Sequence, residues 1–284
     1  GELATEEDKA LFNEQNGLDK PFLVRFVNYV VDAVQGDFGI SYSTRQPVIK
    51  EILSCFPTTM KLSLYAELFA IVLGVTLGVV SAVRQYSFID NFTRIVAMIG
   101  VSLPSFWEGL MLILFSVILG WLPPSGLTSW KHWILPAFTL STWGLAACMR
   151  MTRSSMLEAI REDYVRTARA KGQTQFVVIM KHAFRNAVLP IITVAGTDFA
   201  KLLGGAAVIE TVFSINGIGK LIVDGINTKN APLVQGGILF VAVAMSLINL
   251  LIDVIYAFVD PRIRSQYSSG KRIKRKSSKK ATVS

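Results

Sequence analysis

Four ionisable side chains stand inside long apolar stretches of this sequence, where a charge requires a physical reason. They are Glu67, Glu108, Asp198 and Lys201. An ion at the centre of a bilayer costs from about 2.5 to more than about 10 kcal/mol, so such groups usually face a protein interior or a water-filled route. Asp198 and Lys201 lie three residues apart on one helical face, where they can form an ion pair. Two roles stay open for all four: buried pairing or snorkelling near the end of a span, and a place along a substrate route.

The rest of the sequence offers no catalytic machinery. It contains no constellation of nucleophile and base, no Walker phosphate loop and no GxGxxG after a predicted strand. The two histidines, His132 and His182, and the two cysteines, Cys55 and Cys148, lack the spacing of a metal site or a disulfide framework. We therefore predict a chain that is not an enzyme, does not hydrolyse ATP itself, and holds neither a metal nor a cofactor.

Composition and hydrophobic runs predict an all-α polytopic membrane protein. Hydrophobic residues make up 51% of the 284 residues, too many for an ordinary soluble domain. Five apolar runs are long enough to cross a hydrocarbon core of about 30 Å as helices, and the period-two alternation of a transmembrane barrel is absent. In the first run, Gly74 and Gly78 have the GxxxG spacing that allows helices to approach closely. The predicted spans are residues 62–83, 95–121 with Pro104 inside, 133–151, 187–208 and 234–259.

The distribution of lysine and arginine predicts the orientation of these spans. The loop 153–185 carries seven such residues and the tail 262–280 carries nine, whereas the loops 122–131 and 211–233 carry one and two. Because positive loops stay in the cytoplasm, the first two segments are assigned inside and residues 1–57 outside. The basic tail, residues 261–284, is expected to attract anionic membrane lipid rather than nucleic acid.

Residues 1–57 are predicted to form an extracytoplasmic segment ahead of a transmembrane domain at 58–260. Asp19 can cap a helix that has Pro21 near its first turn, and Gly36 ends it. Its single apolar face predicts packing on the membrane surface or against neighbouring spans, without chemistry. That face comprises Phe22, Leu23, Phe26, Val27, Val30, Val31 and Val34.

A polar, basic stretch, DYVRTARAKG at residues 163–172, separates two apolar runs. Apolar residues recur before it at three- and four-residue intervals, and Gly172 is placed to end that helix. A second helix is predicted from Thr174, so the stretch is expected to be two helices bent at a glycine. The first apolar stripe is Met156, Leu157, Ile160, Tyr164 and Ala168; the second is Phe176, Val177, Met180 and Phe184.

This stretch is followed by HAFRNAVLP at 182–190, LLGGAAVIETVFSINGIG at 202–219 and DPRIR at 260–264. In that order the motifs resemble the permease subunits of binding-protein-dependent ABC importers, most closely the dipeptide, oligopeptide and nickel group. GLDKPFLVRFVNYV and GDFGISYSTRQPV near the start resemble the same group. The resemblance therefore covers almost the whole chain and implies the transmembrane fold of a type I importer.

The resemblance also implies roles for particular residues. Loop 153–186 corresponds to the cytoplasmic loop whose coupling helix enters a cleft of an ATP-binding subunit, although Arg166-Thr167-Ala168 stands where the general pattern has Glu-Ala-Ala. Residues 204–219 correspond to an outer re-entrant or loop region near the gate of the pathway, with a turn at Glu210-Thr211. The residues implied in coupling are Asp163, Tyr164, Arg166, Thr167, Ala168, Arg169, Ala170, Lys171 and Gly172.

The resemblance further implies partners: a second, similar permease, two ATP-binding subunits and an extracytoplasmic solute-binding protein. Such permeases generally have one more span ahead of the point where this sequence starts. A peptide is the expected substrate, with nickel or a metal chelate as the alternative, because scattered acids do not make a bare-metal site. An ion-coupled secondary transporter is a rival that would keep the acids but need no docking helix, and a membrane-embedded enzyme would need a catalytic constellation.

Overall fold

The structure is a computed structural model that describes residues 19–259, together with isolated positions 5, 7, 11, 13 and 17. The predicted basic tail lies outside the described residues. Within them the chain is helical, and its one β-type contact is an isolated bridge between Ile40 and Pro47. The helices are α1 (Phe22–Val34), α2 (Val48–Val83), α3 (Phe88–Ser102), α4 (Ser105–Leu119), α5 (Ile134–Arg161), α6 (Asp163–Ala170), α7 (Gln175–Val212), α8 (Ile218–Asn227) and α9 (Ala231–Val259).

The centre of the bundle is formed by α2, α5 and α7. A Cβ atom on Gly74 would lie 2.7 Å from the carbonyl oxygen of Leu145, and one on Gly78 would lie 2.8 Å from that of Met149. Only hydrogen at these two positions allows the backbones of α2 and α5 to approach so closely. The GxxxG spacing thus serves a helix contact within this chain. A buried core joins these helices through Leu62, Ala66, Leu140, Ala206, Ile209 and Phe213.

The predicted second span is two helices rather than one. The axes of α3 and α4 are bent by 107°. Leu103 is extended, with ψ 134, and Pro104 follows it. Proline disfavours helical conformation in the residue before it and donates no backbone hydrogen bond, so the helix breaks there.

Among the described residues three helices, α2, α7 and α9, are long and apolar enough to cross a membrane, and the bent pair makes a fourth if it counts as one span. Helix α5 corresponds to the third predicted span; it carries Arg150 and Arg153 and buries polar residues such as Thr139 and Ser141. Helix α2, which contains the first predicted span, starts at Val48, so the predicted boundary after Pro57 lies within this helix.

The predicted N-terminal helix is present as α1. It begins after Pro21 and ends before Gly36, which has φ +86. None of its residues is buried, so its apolar face lies open in the isolated chain. The following segment is fixed to the start of α9 by Asn230, whose amide oxygen accepts from the Tyr42 backbone N–H at 3.1 Å and whose amide nitrogen donates to Ser41 at 2.8 Å.

Candidate functional site

The basic segment, residues 163–172, forms the short helix α6, which docks on the bundle through its own apolar side. Glu162 is extended, with ψ 150, and separates α5 from α6. Val165 and Ala168 are buried and pack in one cluster with Met156. Burial of these side chains fixes the orientation of α6 on the end of the bundle.

The break at Glu162 corrects the sequence prediction of one helix running to Gly172. The predicted stripe included Tyr164, which is 39% exposed, whereas Val165 is fully buried. The predicted turn at Gly172 is confirmed, because this residue has φ +74. The next helix follows Thr174, as predicted, although the Thr174 side chain makes no capping hydrogen bond.

The opposite side of α6 is polar and open. Its exposed residues are Asp163, Tyr164, Arg166, Thr167, Arg169, Ala170 and Lys171. The ion pair between Arg166 and Asp163 spans 3.7 Å, and both side chains are largely exposed. An exposed ion pair of this kind contributes little to stability. The exposed Arg166, Arg169 and Lys171 are therefore available for charge-assisted hydrogen bonds with another protein. Ala168, by contrast, faces this chain's own core.

Helix α7 leaves the basic segment through an irregular turn. Residues Val178–Phe184 form a π-helical stretch, a form of helix that often marks functional sites. The His182 ring nitrogen Nε2 and the Gln173 side-chain oxygen are 2.7 Å apart. This contact connects the N-terminal turns of α7 to the turn that ends α6.

Two of the predicted intramembrane acids meet inside the bundle. Glu67 on α2 and Asp198 on α7 are 6% and 3% exposed, and Asp198 packs against Gly144 of α5 together with Ala70, which lies one turn after Glu67 on α2. The Asp198 carboxylate occupies the space beside Gly144 of α5, where a Cβ would collide with Oδ2. Within the described residues, both Glu67 carboxylate oxygens and Asp198 Oδ2 lack a hydrogen-bond partner.

Lys201 does not form the possible ion pair with Asp198 in the structure. No carboxylate oxygen of the described residues lies within 4.0 Å of its ammonium group. Lys201 is exposed, and its Nζ lies 5.4 Å from the centroid of the Trp143 ring on α5. This is a cation–π contact, and it holds the ammonium group on the outside of the bundle.

Glu108, the fourth predicted residue, lies elsewhere. It is half-buried on α4, and its Oε1 accepts a hydrogen bond from Thr142 Oγ1 at 2.7 Å. The structure therefore brings Glu67 and Asp198 together and leaves Lys201 and Glu108 at separate positions.

Glu210, predicted to lie in a loop turn, is a buried acid on a helix. It lies in the last turns of α7 and is 0% exposed. Its carboxylate accepts from Thr59 Oγ1 at 2.5 Å and from the Lys220 backbone N–H at 2.9 Å, while Thr59 accepts from the Ile218 N–H at 2.8 Å. Glu210 and Thr59 thus cap the first turn of α8. The missed signal was the run from 218 to 227, which has the apolar spacing of a short helix.

A partly buried ion pair connects the start of α3 to α5. Arg153 donates to both carboxylate oxygens of Asp90, at 2.8 and 2.9 Å. Ser81 on α2 donates to the same carboxylate at 2.5 Å, as does the Tyr86 backbone N–H at 2.9 Å. This bidentate arrangement fixes the α2–α3 turn against the half of α5 that leads to α6.

Comparison with known proteins gives consistent family matches. Residues 74–265 match the family described as binding-protein-dependent transport system inner membrane component. The glutathione transport system permease protein GsiC of Escherichia coli K12 is 43% identical over 255 residues, which cover 89% of this chain and 83% of that protein. The dipeptide transport system permease protein DppB of Alkalihalophilus pseudofirmus is 41% identical over 293 residues, covering 93% of this chain and 88% of that protein.

Solved structures of other transporters share the fold. A chain of the MetNI methionine ABC transporter in an inward-facing conformation superimposes with a TM-score of 0.61 at 21% identity, covering 74% of this chain and 96% of that one. A chain of an amino acid ABC transporter gives a TM-score of 0.57 at 14% identity, covering 75% and 94%. The bundle therefore has the transmembrane fold of type I ABC importers.

Proposed function

Because this chain belongs to the family of binding-protein-dependent transport system inner membrane components, we propose that it is one of two permease subunits of an ATP-driven importer that takes up a peptide. Its family resides in the bacterial inner membrane as the transmembrane, noncatalytic component of ABC importers. In the proposed assembly the second permease is a similar chain, two further subunits bind and hydrolyse ATP, and a solute-binding protein delivers the substrate from outside.

The observation that carries this proposal is the two-sided character of α6. Its apolar side, Val165 and Ala168, is used by this chain's own core, whereas its polar side stays open beyond the bundle. A short helix fixed to the permease in this way can transmit movement of an ATP-binding subunit without bending away from the bundle. The exposed Arg166, Arg169 and Lys171 would bind acidic or carbonyl groups around the partner's cleft.

The expected substrate is a peptide because two relatives above 40% identity are named for glutathione and for dipeptides. Glutathione is itself a tripeptide derivative, so the two names share one chemical class. Nickel or a metal chelate is the competing substrate, which the following experiment separates.

The test is uptake into proteoliposomes that contain the assembled transporter and its solute-binding protein. We expect accumulation of dialanine or glutathione that requires internal ATP and persists when ionophores abolish ion gradients. Accumulation of Ni²⁺ but of neither peptide would show that the substrate is nickel and not a peptide. Uptake that continues without ATP and stops with ionophores would contradict the ATP-driven mechanism and favour an ion-coupled carrier.

A further inference from the structure

The exposed side of α7 differs from the exposed sides of α3 and α4. Its exposed residues are mostly small or polar, namely Thr193, Thr197, Lys201, Gly204 and Gly205, followed by the apolar Val208. By contrast, α3 and α4 expose large apolar residues, including Phe92, Ile95, Ile99, Leu114, Phe115 and Ile118. The large apolar side chains of α3 and α4 suit contact with lipid, whereas a lysine on a membrane-spanning helix does not.

Helix α9 carries a matching polar stripe. Ala242, Ser246, Asn249 and Asp253 are exposed and recur at three- and four-residue intervals, so they share one face. Val243, Leu247, Leu250 and Val254 are exposed on the neighbouring face of the same helix. Asp253 was not among the four predicted intramembrane residues, although it is the one carboxylate in the predicted span 234–259.

The packing of α7 against α9 brings the two polar stripes to one side of the bundle. A Cβ on Gly196 would lie 2.5 Å from Cγ2 of Ile252, and one on Gly204 would lie 3.3 Å from Sδ of Met245, so the helices are antiparallel. In an antiparallel pair, the residue after a contact residue projects to the same side on both helices. Thr197 and Gly205 follow the contacts on α7, and Ser246 and Asp253 follow them on α9.

Lys201 and Asp253 are the two charged residues of this shared polar face. The two contacts set Lys201 level with residue 247 or 248 of α9, and Asp253 lies five or six residues further along. At 1.5 Å per residue, the two positions differ by about 8 Å along the helix axes. Neither takes part in an ion pair among the described residues, and Lys201 is held by the Trp143 ring at 5.4 Å.

We propose that this face borders the substrate route, where Lys201 binds the carboxylate and Asp253 the ammonium group of a zwitterionic peptide. The inference rests on the proposed function and adds the recognition of both peptide termini. Two exposed charges of opposite sign need a polar environment, and an aqueous route supplies it. Their axial separation of about 8 Å is on the scale of a short extended peptide, for which each residue spans about 3.3 to 3.6 Å. Thr193, Thr197 and Ser246 add hydroxyl groups to the same face.

The experiment measures ATP-dependent uptake by the complete transporter with binding protein loaded to equal occupancy. The probes are dialanine, its C-terminal amide and its N-acetyl form. We expect Lys201→Gln to reduce the preference for dialanine over the amide roughly tenfold, the effect of losing one charge-assisted hydrogen bond. Asp253→Asn should reduce the preference for dialanine over its N-acetyl form by a similar factor. Each variant should leave the other preference unchanged.

Lys61→Gln is the matched control, since Lys61 is also exposed but lies on α2, outside this face. It should keep both preferences. Unchanged preferences in the Lys201 and Asp253 variants would overturn the inference. Loss of the second permease from either purified complex would also overturn it, because the charges would then serve the contact between the two permeases. Absence of peptide uptake by the wild-type transporter would instead contradict the proposed function itself.

Discussion

At the scale of single residues, the contact between Asp198 and Gly144 sets a tight constraint. Gly144→Ala would place a methyl group in the space of the Asp198 carboxylate. We expect a loss of about 1 to 3 kcal/mol, the usual cost of overpacking a core, seen as a lower Tm of the purified protein. The double variant Gly144→Ala with Asp198→Ala should recover part of this loss because the carboxylate is gone.

Gly205→Ala is the control for this substitution. Gly205 is in the same kind of helical surrounding, but a Cβ there meets nothing within 4 Å. Its Tm should stay unchanged or rise slightly, because alanine favours helix more than glycine does. A Gly144 variant as stable as the Gly205 variant would contradict the packing described above.

Glu210 supports a second prediction at this scale. Glu210→Ala would leave the Lys220 backbone N–H and the Thr59 hydroxyl without their buried acceptor, at a cost of about 1 to 3 kcal/mol. Hydrogen exchange should therefore accelerate in α8 while α2 and α5 stay protected. Thr211→Ala, at an exposed neighbouring position, should leave α8 protected. Uniform acceleration throughout the bundle would argue against a local capping role.

The sequence identified which residues are unusual but not which ones meet. Helical periodicity placed Asp198 and Lys201 within reach of each other, yet Asp198 is buried beside Gly144 and Lys201 is exposed beside Trp143. Three residues correspond to about 300° around a helix, so the neighbouring helices decide which side each residue faces. A single sequence does not show which helices pack against each side of α7.

At the scale of elements, helix α6 yields a prediction that separates its two sides. Ala170 is exposed and Ala168 is 4% exposed, two residues away. Ala170→Glu should leave the permease folded but release the proposed ATP-binding subunit during gentle purification, because it adds an acidic side chain to the basic outer side. Ala168→Glu should instead expose the apolar cluster around Met156 and Val165 and lower the Tm.

The measurement is co-purification of the ATP-binding subunit together with the thermal stability of the permease. Thr167→Ala is a mild control on the outer side and should retain the partner. If Ala170→Glu kept a complete, ATP-hydrolysing complex, the proposed docking surface of α6 would be wrong.

The element boundaries show why periodicity is an incomplete guide. The break at Gly172 was predictable because a glycine with positive φ commonly ends a helix. The break at Glu162 was not, because the apolar spacing continues across it, and the burial of Val165 is a tertiary effect. Pro104 was visible in the sequence, but the 107° bend depends on where α3 and α4 pack.

At the scale of the whole molecule, composition alone was sufficient for the class of fold. The apolar runs predict five spanning helices. Among the described residues α2, α7, α9 and the bent pair α3–α4 are apolar enough to cross a membrane, whereas α5, at the third predicted span, is a long helix that is not. The orientation of the bundle follows from a different property, the asymmetry of lysine and arginine. It stays a prediction, since the arrangement of helices is the same in either direction across a bilayer.

Single-cysteine labelling decides that orientation. In a background with Cys55→Ser and Cys148→Ala, we place one cysteine at Gln173, after α6, and a matched one at Ser125, between α4 and α5; both positions are exposed. Because loop 153–185 carries seven lysines and arginines and loop 122–131 carries one, the first should lie inside and the second outside. An impermeant maleimide added to intact cells should label Ser125→Cys at once and Gln173→Cys only after permeabilisation. The reverse pattern would place α6 outside the cell, where no ATP-binding subunit could reach it, and would remove the basis of the proposed coupling.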